Sequence, residues 1–290
     1  MATWTSLPEK LFSLDGHVAL VTGAGSGLGK YMAHAVLHAG ANVILVSRGL
    51  QRLQVAAMEL FDSLENDRPM GHDSNVEDFD QKKWDAVAPE LSKRMACIAW
   101  DVSNLETLPE LAAKAKSFFG APDILINAAG LNPRKPWEEV TPEIYEYTLR
   151  LNLSAPFFLA QALVPDMKAQ GWGHIINFGS LQSFRAFPNG LPYGASKGGV
   201  AQLTRAMAEA WSTPGTGITA NAVAPGFFKT QLTAPLFSKP EVIRALEKQT
   251  TMRRLGGCDD VQGLAIFLAS HASDYITGQV IGVDGGWMAI

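Results

Sequence analysis

A serine, a tyrosine and a lysine stand at a spacing that could bring three side chains to one carbonyl oxygen. Ser180, Tyr193 and Lys197 follow the pattern Ser-x12-Tyr-x3-Lys. Because Tyr193 and Lys197 are four residues apart, a helix over this segment would place them on the same face, one turn from each other. The mostly apolar run 174–178 predicts a buried strand that ends just before Ser180. The chemistry to expect from these groups is proton transfer by a phenol, with a cation nearby to stabilise its anion.

The phenol of Tyr193 can serve as a base at neutral pH only if its pKa is lowered. An ordinary tyrosine has a pKa of about 10, so a value near 7 requires about 3 units, or roughly 4 kcal/mol, of differential interaction with the phenolate. A neighbouring ammonium group acts in this direction. The alternative interpretation is a buried tyrosine, an exposed lysine and a serine in a turn, with no shared function.

A glycine-rich segment lies near the N-terminus, between a predicted strand and a predicted helix. The apolar run 18–21 precedes it, and apolar residues recur at helical spacing after it as far as Gly40. In this order, glycines let the backbone approach a pyrophosphate, and the helix N-terminus supplies N–H groups and a positive dipole. The segment therefore predicts a dinucleotide-binding loop rather than a flexible turn, with these residues at the cofactor: Gly23, Ser26, Gly27, Leu28 and Gly29.

Together these segments resemble the short-chain dehydrogenase/reductase family in its single-domain form, over about residues 12 to 290. The family's motifs have counterparts here: TGxxxGxG at 22–29, NNAG at 127–130 with Ala128 in place of the second asparagine, Pro-Gly at 225–226 and VDGG at 283–286. Within the family, the stretches 180–183 and 225–233 are similar to those of gluconate 5-dehydrogenases and related sugar-ketone reductases.

The resemblance implies catalytic roles for four residues. Ser180 would polarise the substrate oxygen, and Tyr193 would transfer the proton. Lys197, with the cationic cofactor, would lower the tyrosine pKa and would hold the ribose hydroxyls. Asn152 would position a water that relays the proton. Hydride would pass between nicotinamide and carbon, so the implied activity is that of a carbonyl reductase or alcohol dehydrogenase. The alternatives are the same scaffold acting on a C=N or C=C bond, and a non-catalytic NADP-binding regulator.

The choice of dinucleotide depends on the residue that ends the second predicted strand. An acidic side chain there would bind the ribose 2′-OH and favour NAD, whereas this chain has Ser47 followed by Arg48. Serine leaves room for a 2′-phosphate, and a guanidinium can bind it through charge-assisted hydrogen bonds. The sequence therefore predicts NADP(H). The resemblance implies further cofactor contacts at Asp101, Val102, Asn127, Ala128, Gly130, Tyr193, Lys197, Pro225, Gly226, Phe228 and Thr230.

Three loops would form the substrate pocket: the segments that follow 127–130, Ser180 and Pro225. Aromatic walls favour an apolar ketone, whereas glutamine and arginine could hold hydroxyls or a carboxylate, so the substrate stays open. The wall residues are Asn132, Arg134, Gln182, Phe184, Arg185, Phe187, Phe227, Phe228 and Leu232. Among them, the substrate-binding candidates are Arg134, Gln182, Arg185, Phe187 and Phe227.

Strand and helix patterns alternate along the chain. This order predicts an α/β fold of the Rossmann type, a doubly wound parallel sheet of about seven strands in a single domain, 1–290. The side chains of Asn127, Ser180 and Pro225 would then follow the carboxyl ends of strands, the edge along which ligands bind in open parallel sheets. The predicted strands are 17–22, 42–47, 96–101, 123–127, 173–179, 218–223 and 279–283.

One interval is longer than the fold needs. Between the second and third predicted strands, 48–100 contains a clear helical stripe followed by the polar, acidic stretch 65–83, which predicts a solvated insertion loop. The run that begins at Asp73 resembles the start of a calcium loop. However, Asp78 and Trp84 stand where glycine and glutamate are required, so no metal site is predicted.

Composition narrows the class of protein. The chain has 290 residues, 47% hydrophobic and 18% charged, which suits a globular core. A net charge of −4 gives no basic surface for nucleic acid. Cys97 and Cys258 are far apart, which favours free thiols. No secretory signal and no apolar run long enough for a membrane helix is visible. We expect a cytoplasmic enzyme without metal, and the family resemblance implies a homotetramer or homodimer.

Overall fold

The computed structural model describes residues 6–66, 70, 76–230, 233–237 and 239–289. Its centre is a seven-stranded sheet in the order β3-β2-β1-β4-β5-β6-β7, and every neighbouring pair is parallel. The strands are β1 (Val18–Thr22), β2 (Asn42–Ser47), β3 (Met95–Ala99), β4 (Ile124–Asn127), β5 (Gly173–Phe178), β6 (Ile218–Pro225) and β7 (Val280–Val283). No predicted strand boundary differs from these by more than two residues. The predicted single-domain, doubly wound fold is confirmed.

Helices connect the strands and cover both faces of the sheet. A π-helical turn, Arg150–Ser154, joins α6 to α7. Within the described ranges no helix is long and apolar enough to cross a membrane. The helices are α1 (Leu7–Phe12), α2 (Gly27–His38), α3 (Leu50–Asn66), α4 (Gln81–Leu91), α5 (Leu108–Phe119), α6 (Pro142–Leu149), α7 (Ala155–Gln170), α8 (Leu191–Trp211), α9 (Ala234–Phe237), α10 (Pro240–Gln249) and α11 (Gln262–Ala269).

Two apolar cores hold the helices against the sheet. Successive residues of a strand point to opposite faces. Accordingly, Ala19 and Val21 of β1 pack with α2, α3 and α11, whereas Val18 and Leu20 pack with α5, α7 and α8. All five residues of β1 are buried. A strand that is apolar on both faces is expected at the centre of a parallel sheet.

The connectivity of the sheet creates one crevice at its carboxyl edge. The chain moves outward from β1 to β2 and β3, and then returns to place β4 on the other side of β1. Neighbouring connections therefore diverge between β1 and β4, and ligands of open α/β sheets bind at such a point. The glycine-rich segment after β1 and the segment after β4 meet there.

The long interval between β2 and β3 is partly helical. Helix α3 continues through Glu65 and Asn66, and α4 begins at Gln81. The Asp80 carboxylate accepts hydrogen bonds from the backbone N–H groups of Lys82 and Lys83 at 2.9 and 3.2 Å, which caps α4. Residues 65, 66 and 81–83 of the predicted 65–83 loop are therefore helical. The run Asp73–Asn75 lies outside the described residues.

Candidate active site

Two adjoining cavities open at the carboxyl edge of the sheet. The first, about 420 Å³, is named here the loop cavity and is bounded by the glycine-rich segment and the ends of β2 and β3. The second, about 410 Å³, is named the tyrosine cavity. They share Leu28, Ala128, Gly130, Phe178 and Thr230, so a single elongated ligand could extend from one into the other.

Most of the predicted cofactor residues line these cavities. Asn127 does not, because its side chain is buried and its Nδ2 donates to Asn177 Oδ1 at 3.0 Å. Asn127 therefore links β4 to β5 below the site. The loop cavity is lined by Gly23, Ser26, Gly27, Leu28, Gly29, Ser47, Arg48, Asp101, Val102, Ala128, Gly130 and Thr230. The tyrosine cavity is lined by Tyr193, Lys197, Pro225, Gly226 and Phe228, among others.

The glycines of the loop are required by close backbone approach. Gly23 has a φ of +67°, and a Cβ there would lie 2.8 Å from Ala129 N. A Cβ on Gly29 would lie 2.6 Å from Gly23 O. Thr22 Oγ1 accepts a hydrogen bond from Ala129 N at 3.2 Å, which joins the loop to the segment after β4. The N-terminus of α2, with no acidic side chain in its first turn, thus borders a cradle of the shape and polarity that fit a pyrophosphate.

Ser180, Tyr193 and Lys197 meet at the tyrosine cavity. Ser180 follows the end of β5, and Tyr193 and Lys197 lie one turn apart near the start of α8. The Ser180 hydroxyl and the Tyr193 phenol both line the cavity, and the interaction with Ser180 acts to lower the pKa of the phenol. Lys197 Nζ lies 5.5 Å from the centroid of the Tyr193 ring and donates to Phe178 O at 2.6 Å. The structure therefore brings the predicted triplet together at one end of the cavity.

Burial dominates the ionisation of the pair. It raises the pKa of Tyr193, against the lowering effects of the Ser180 hydrogen bond and the Arg134 charge. Burial also lowers the pKa of Lys197 to about 8. In both cases the neutral form is favoured, since a low-dielectric surrounding penalises charge. The polypeptide thus presents Tyr193 as a protonated phenol, a proton donor.

Asn152 sits beside this pair without lining either cavity. It lies in the π-helical turn, where Nδ2 donates to Leu131 O at 2.9 Å and to Ser196 Oγ at 3.0 Å. Its Oδ1 accepts from Leu131 N at 2.9 Å. Ser196 in turn donates to Tyr193 O at 2.7 Å. Asn152 therefore ties the segment after β4 to the first turn of α8.

The predicted substrate residues divide into two groups. Arg134, Gln182, Phe187 and Phe227 line the tyrosine cavity, as does Asn132. Arg185 does not; it is exposed, and its guanidinium lies 5.4 Å from the centroid of the Phe187 ring. Phe184 is also exposed and outside the cavity, and Leu232 is outside the described residues.

Some lining residues were not predicted from the sequence. Trp287 is buried beside the cavity, with its ring 4.9 Å from that of Phe227 and 6.3 Å from that of Phe187. Leu246 and Gln249 of α10 also line it. These positions carry no local signal, because only the folded path of the C-terminal third brings them to the site.

Arg134 is held in an unusual state. Its φ of +49° lies in the left-handed region, which a non-glycine residue adopts at some conformational cost. Its Nε is buried with no hydrogen-bond partner in the described structure. Burial lowers the pKa of its guanidinium, while its charge acts on Tyr193. A buried donor without a partner is unfavourable, so this side chain is suited to receive an anion from the cavity.

The residues that the structure describes contain no cluster of three or more His, Cys, Asp or Glu side chains that could hold a metal ion. Cys97 is a free thiol, and Cys258 Sγ donates to Lys229 O at 3.5 Å. The groups available for chemistry at the site are therefore the hydroxyls, the lysine, the arginine and the amides described above.

Comparison with known proteins gives concordant matches. The family model described as "short chain dehydrogenase" matches residues 17–83, and the one described as "Enoyl-(Acyl carrier protein) reductase" matches residues 70–288. The chain is 35% identical over 276 residues to a gluconate 5-dehydrogenase from Gluconobacter oxydans (strain 621H), covering 95% of this chain and 96% of the relative. It is 34% identical over 278 residues to a 2-dehydro-3-deoxy-D-gluconate 5-dehydrogenase from Bacillus subtilis (strain 168), covering 96% and 97%.

A solved structure is similar over nearly the whole chain. It is that of a gluconate 5-dehydrogenase from Burkholderia cenocepacia J2315 in complex with NADP and tartrate, with a TM-score of 0.82 and 34% sequence identity. The match covers 97% of this chain and 99% of that one.

Proposed function

The chain belongs to the short-chain dehydrogenase/reductase family, and from this premise we propose that it is an NADP(H)-dependent oxidoreductase that interconverts a ketone and a secondary alcohol. The observation that carries the proposal is the Ser180 and Tyr193 hydroxyls beside the buried Lys197 in the tyrosine cavity, which adjoins the loop cavity. A hydroxyl pair of this kind is suited to a carbonyl oxygen, because one group can polarise it while the other protonates it.

The fit of the loop cavity supports a dinucleotide cofactor. The cradle formed by Gly23 and Gly29, closed by Thr22 Oγ1, leaves room for a pyrophosphate at the N-terminus of α2. Ser47 ends β2 and Arg48 follows it, so neither position carries a carboxylate, which favours a 2′-phosphate over a free 2′-OH. The Burkholderia relative is described with NADP bound. When bound, NADPH supplies the hydride.

Each protein group then has a task in reduction. Ser180 donates a hydrogen bond to the substrate oxygen and orients it toward Tyr193. Tyr193 gives its proton to that oxygen as negative charge develops there. Lys197 stabilises the phenolate left behind, and the positive charge of the oxidised cofactor contributes further. Asn152 holds the first turn of α8 in place, and through Leu131 it fixes the segment opposite. Oxidation of the alcohol uses the same groups in reverse.

We propose that the substrate carries a carboxylate, which Arg134 binds. The buried Nε without a partner supports this assignment, as do relatives named for gluconate and 2-dehydro-3-deoxygluconate. Gln182 and Asn132 line the same cavity and offer amide groups to hydroxyls. The Phe187 and Phe227 rings form the remaining wall, against which the C–H face of a sugar chain or an apolar group can pack.

Three further assignments rest on the family and on composition. We propose that the enzyme is cytoplasmic, does not bind nucleic acid and forms a homotetramer through α6–α8. Phe158 on α7 supports the association, because 38% of its side chain is exposed, whereas Phe157 and Trp211 beside it pack toward the core.

The test is oxidation of NADPH and of NADH at neutral pH with a panel of acceptors. The panel holds 5-ketogluconate, fructose, an apolar aryl ketone, a diketone, a 3-oxoacyl thioester and an enoyl thioester. Turnover of 5-ketogluconate with NADPH, and little of fructose, is the expected result. Turnover of only the aryl ketone would remove Arg134 from its role. Turnover of only the enoyl thioester would favour C=C reduction, which the second family model's description brings into consideration.

A further inference from the structure

A second arginine, Arg52, lies in the first turn of α3, shortly after the end of β2. Arg52 lines the loop cavity together with Ser47 and Arg48. Its side chain is half-buried, whereas that of Arg48 is exposed. Both arginines therefore line the same cavity, and Arg52 is the more buried of the two.

The stem of the Arg52 side chain packs against Gly25. A Cβ built on Gly25 would lie 2.9 Å from Arg52 Cγ, 3.2 Å from its Cδ and 3.3 Å from Ser47 Oγ. The backbone of Gly25 is not in the left-handed region, so its conformation does not require glycine. The missing side chain instead provides space, and the stem of Arg52 occupies that space beside the hydroxyl of Ser47.

The charge of this arginine pair is not neutralised by the surrounding protein. In the described parts of the chain, neither Arg48 nor Arg52 takes part in an ion pair. The carboxylate that lines the same cavity belongs to Asp101, whose Oδ1 accepts from Ser103 N at 2.9 Å and Ser103 Oγ at 2.7 Å. Two arginines and a serine hydroxyl thus line one cavity, and no ion pair among the described residues engages either arginine.

We propose that Arg52 is a cofactor-specificity residue, which binds the 2′-phosphate of NADP together with Ser47 and Arg48, and that Gly25 is the position that admits it. The inference rests on the proposed NADP(H) dependence and adds the residue that enforces it. A guanidinium presents N–H donors in a plane that matches phosphate oxygens. The phosphate would then contact two guanidinium groups, those of Arg48 and Arg52, instead of one.

The test is equilibrium binding by calorimetry, with NADP⁺, NAD⁺, 2′,5′-ADP and 5′-AMP as probes. Arg52→Ala should weaken NADP⁺ and 2′,5′-ADP by about 10- to 100-fold, the loss typical of one charge-assisted contact. The affinities for NAD⁺ and 5′-AMP should change by less than about threefold, since these ligands lack the phosphate. Gln51→Ala is the matched control, because Gln51 is exposed on the same turn and does not line the cavity.

Two further variants separate charge from space. Arg52→Lys should recover part of the NADP⁺ affinity, because it restores the charge without the planar fork. Gly25→Ala should weaken NADP⁺ by displacing the Arg52 stem, and it should add little in the Gly25→Ala/Arg52→Ala double variant.

The outcomes distinguish this inference from the function on which it rests. If wild-type protein prefers NADP⁺ and Arg52→Ala keeps that preference, the role of Arg52 is wrong and NADP(H) dependence stands. If Arg52→Ala weakens all four ligands equally, Arg52 only supports the loop, which also contradicts the proposal. If wild-type protein binds NAD⁺ as tightly as NADP⁺, both proposals fail together.

Discussion

At the scale of single residues, burial shifts the pKa values of Tyr193 and Lys197 in opposite directions. The phenol of Tyr193 is held protonated, and the ammonium of Lys197 is brought toward neutrality, with a pKa of about 8. Among the described residues, the cation whose charge lowers the pKa of the phenol is Arg134. The proton donor for ketone reduction is therefore ready, whereas the phenolate needed for alcohol oxidation requires the added charge of the bound cofactor.

The lowered pKa of Lys197 predicts how stability depends on pH. Between about pH 8 and the ordinary lysine value of about 10.4, the unfolded chain binds a proton that the folded chain has lost. Stability therefore rises with pH in this window and does not gain from this group below it. Relative to Lys197→Met, the wild-type free energy of unfolding should increase by about 1.4 kcal/mol per pH unit there. Urea unfolding of both proteins at several pH values measures this difference; a constant or falling difference would show that Lys197 is not destabilised by burial.

Arg134 should distinguish anionic from neutral ketones. Arg134→Met removes the guanidinium and keeps much of the stem, so KM for a keto acid should rise by about 10- to 100-fold, and KM for a neutral ketone should change little. Arg185→Met is the control, because Arg185 is exposed and outside the tyrosine cavity. Equal effects of the two variants, or an equal loss with both substrates, would argue against a carboxylate contact.

Residue types at the site were predictable, but the directions of several side chains were not. The spacing of Ser180, Tyr193 and Lys197 was enough to predict that they meet, because the end of β5 and the start of α8 position them. Arg134 and Arg185 have the same type and similar loop settings in the sequence. Only the left-handed backbone at Arg134 and the exposed turn at Arg185 send one into the cavity and the other away. Asn127 likewise follows the motif but turns toward Asn177 below the site.

At the scale of elements, the site depends on how closely α2 approaches β4. Gly29 lies in the first turn of α2, where a Cβ would meet Gly23 O at 2.6 Å and Ala128 Cβ at 3.1 Å. A side chain there cannot be accommodated by a rotamer change, because the nearest atom is backbone. The strand–loop–helix pattern was readable from the sequence because the apolar runs and glycines are local. The contact between Trp287 and the Phe227 wall was not, because it joins residues on separate elements.

Substitution of helical glycines tests this close approach. Gly29→Ala should lower the free energy of unfolding by about 1–3 kcal/mol and weaken NADPH binding, because α2 must move away from the loop. Gly263→Ala in α11 is the matched control. Nothing lies within 4 Å of a Cβ at that position, so replacing a helical glycine should instead stabilise by about 0.5–1 kcal/mol. Thermal or urea unfolding gives both values. A stabilising Gly29→Ala would show that α2 and the glycine-rich segment can accommodate a Cβ at this position.

At the scale of the whole molecule, α7 carries one phenylalanine toward the core and one toward the surface. Phe157 stacks near Trp211 with ring centroids 6.3 Å apart, and both pack toward the core. Phe158 projects outward with 38% of its surface exposed. The sequence alone does not show which of these aromatic residues is exposed, because apolar residues occur both in a protein core and at a subunit interface. The fold separates them and leaves Phe158 as a candidate for contact between subunits.

Sedimentation velocity tests the proposed tetramer. Wild-type protein should sediment as a tetramer, and Phe158→Glu should shift it toward smaller species, because a charge would be buried in an apolar contact. Phe12→Glu is the control, since Phe12 is 40% exposed at the end of α1, away from α6–α8. A wild-type monomer would refute the association, and equal effects of both variants would remove α7 from the interface.

The most direct measurement is the rate of NADPH oxidation by a ketone for wild-type protein and for Tyr193→Phe, with the alcohol product identified. We expect the variant to lose about 10²- to 10⁴-fold in kcat, as is usual when a general acid is removed, and calorimetry to find NADPH binding within about threefold of wild type. Ser180→Ala should show the same separation of turnover from binding. Turnover by Tyr193→Phe at a rate near that of wild type would contradict the central claim that this phenol delivers the proton.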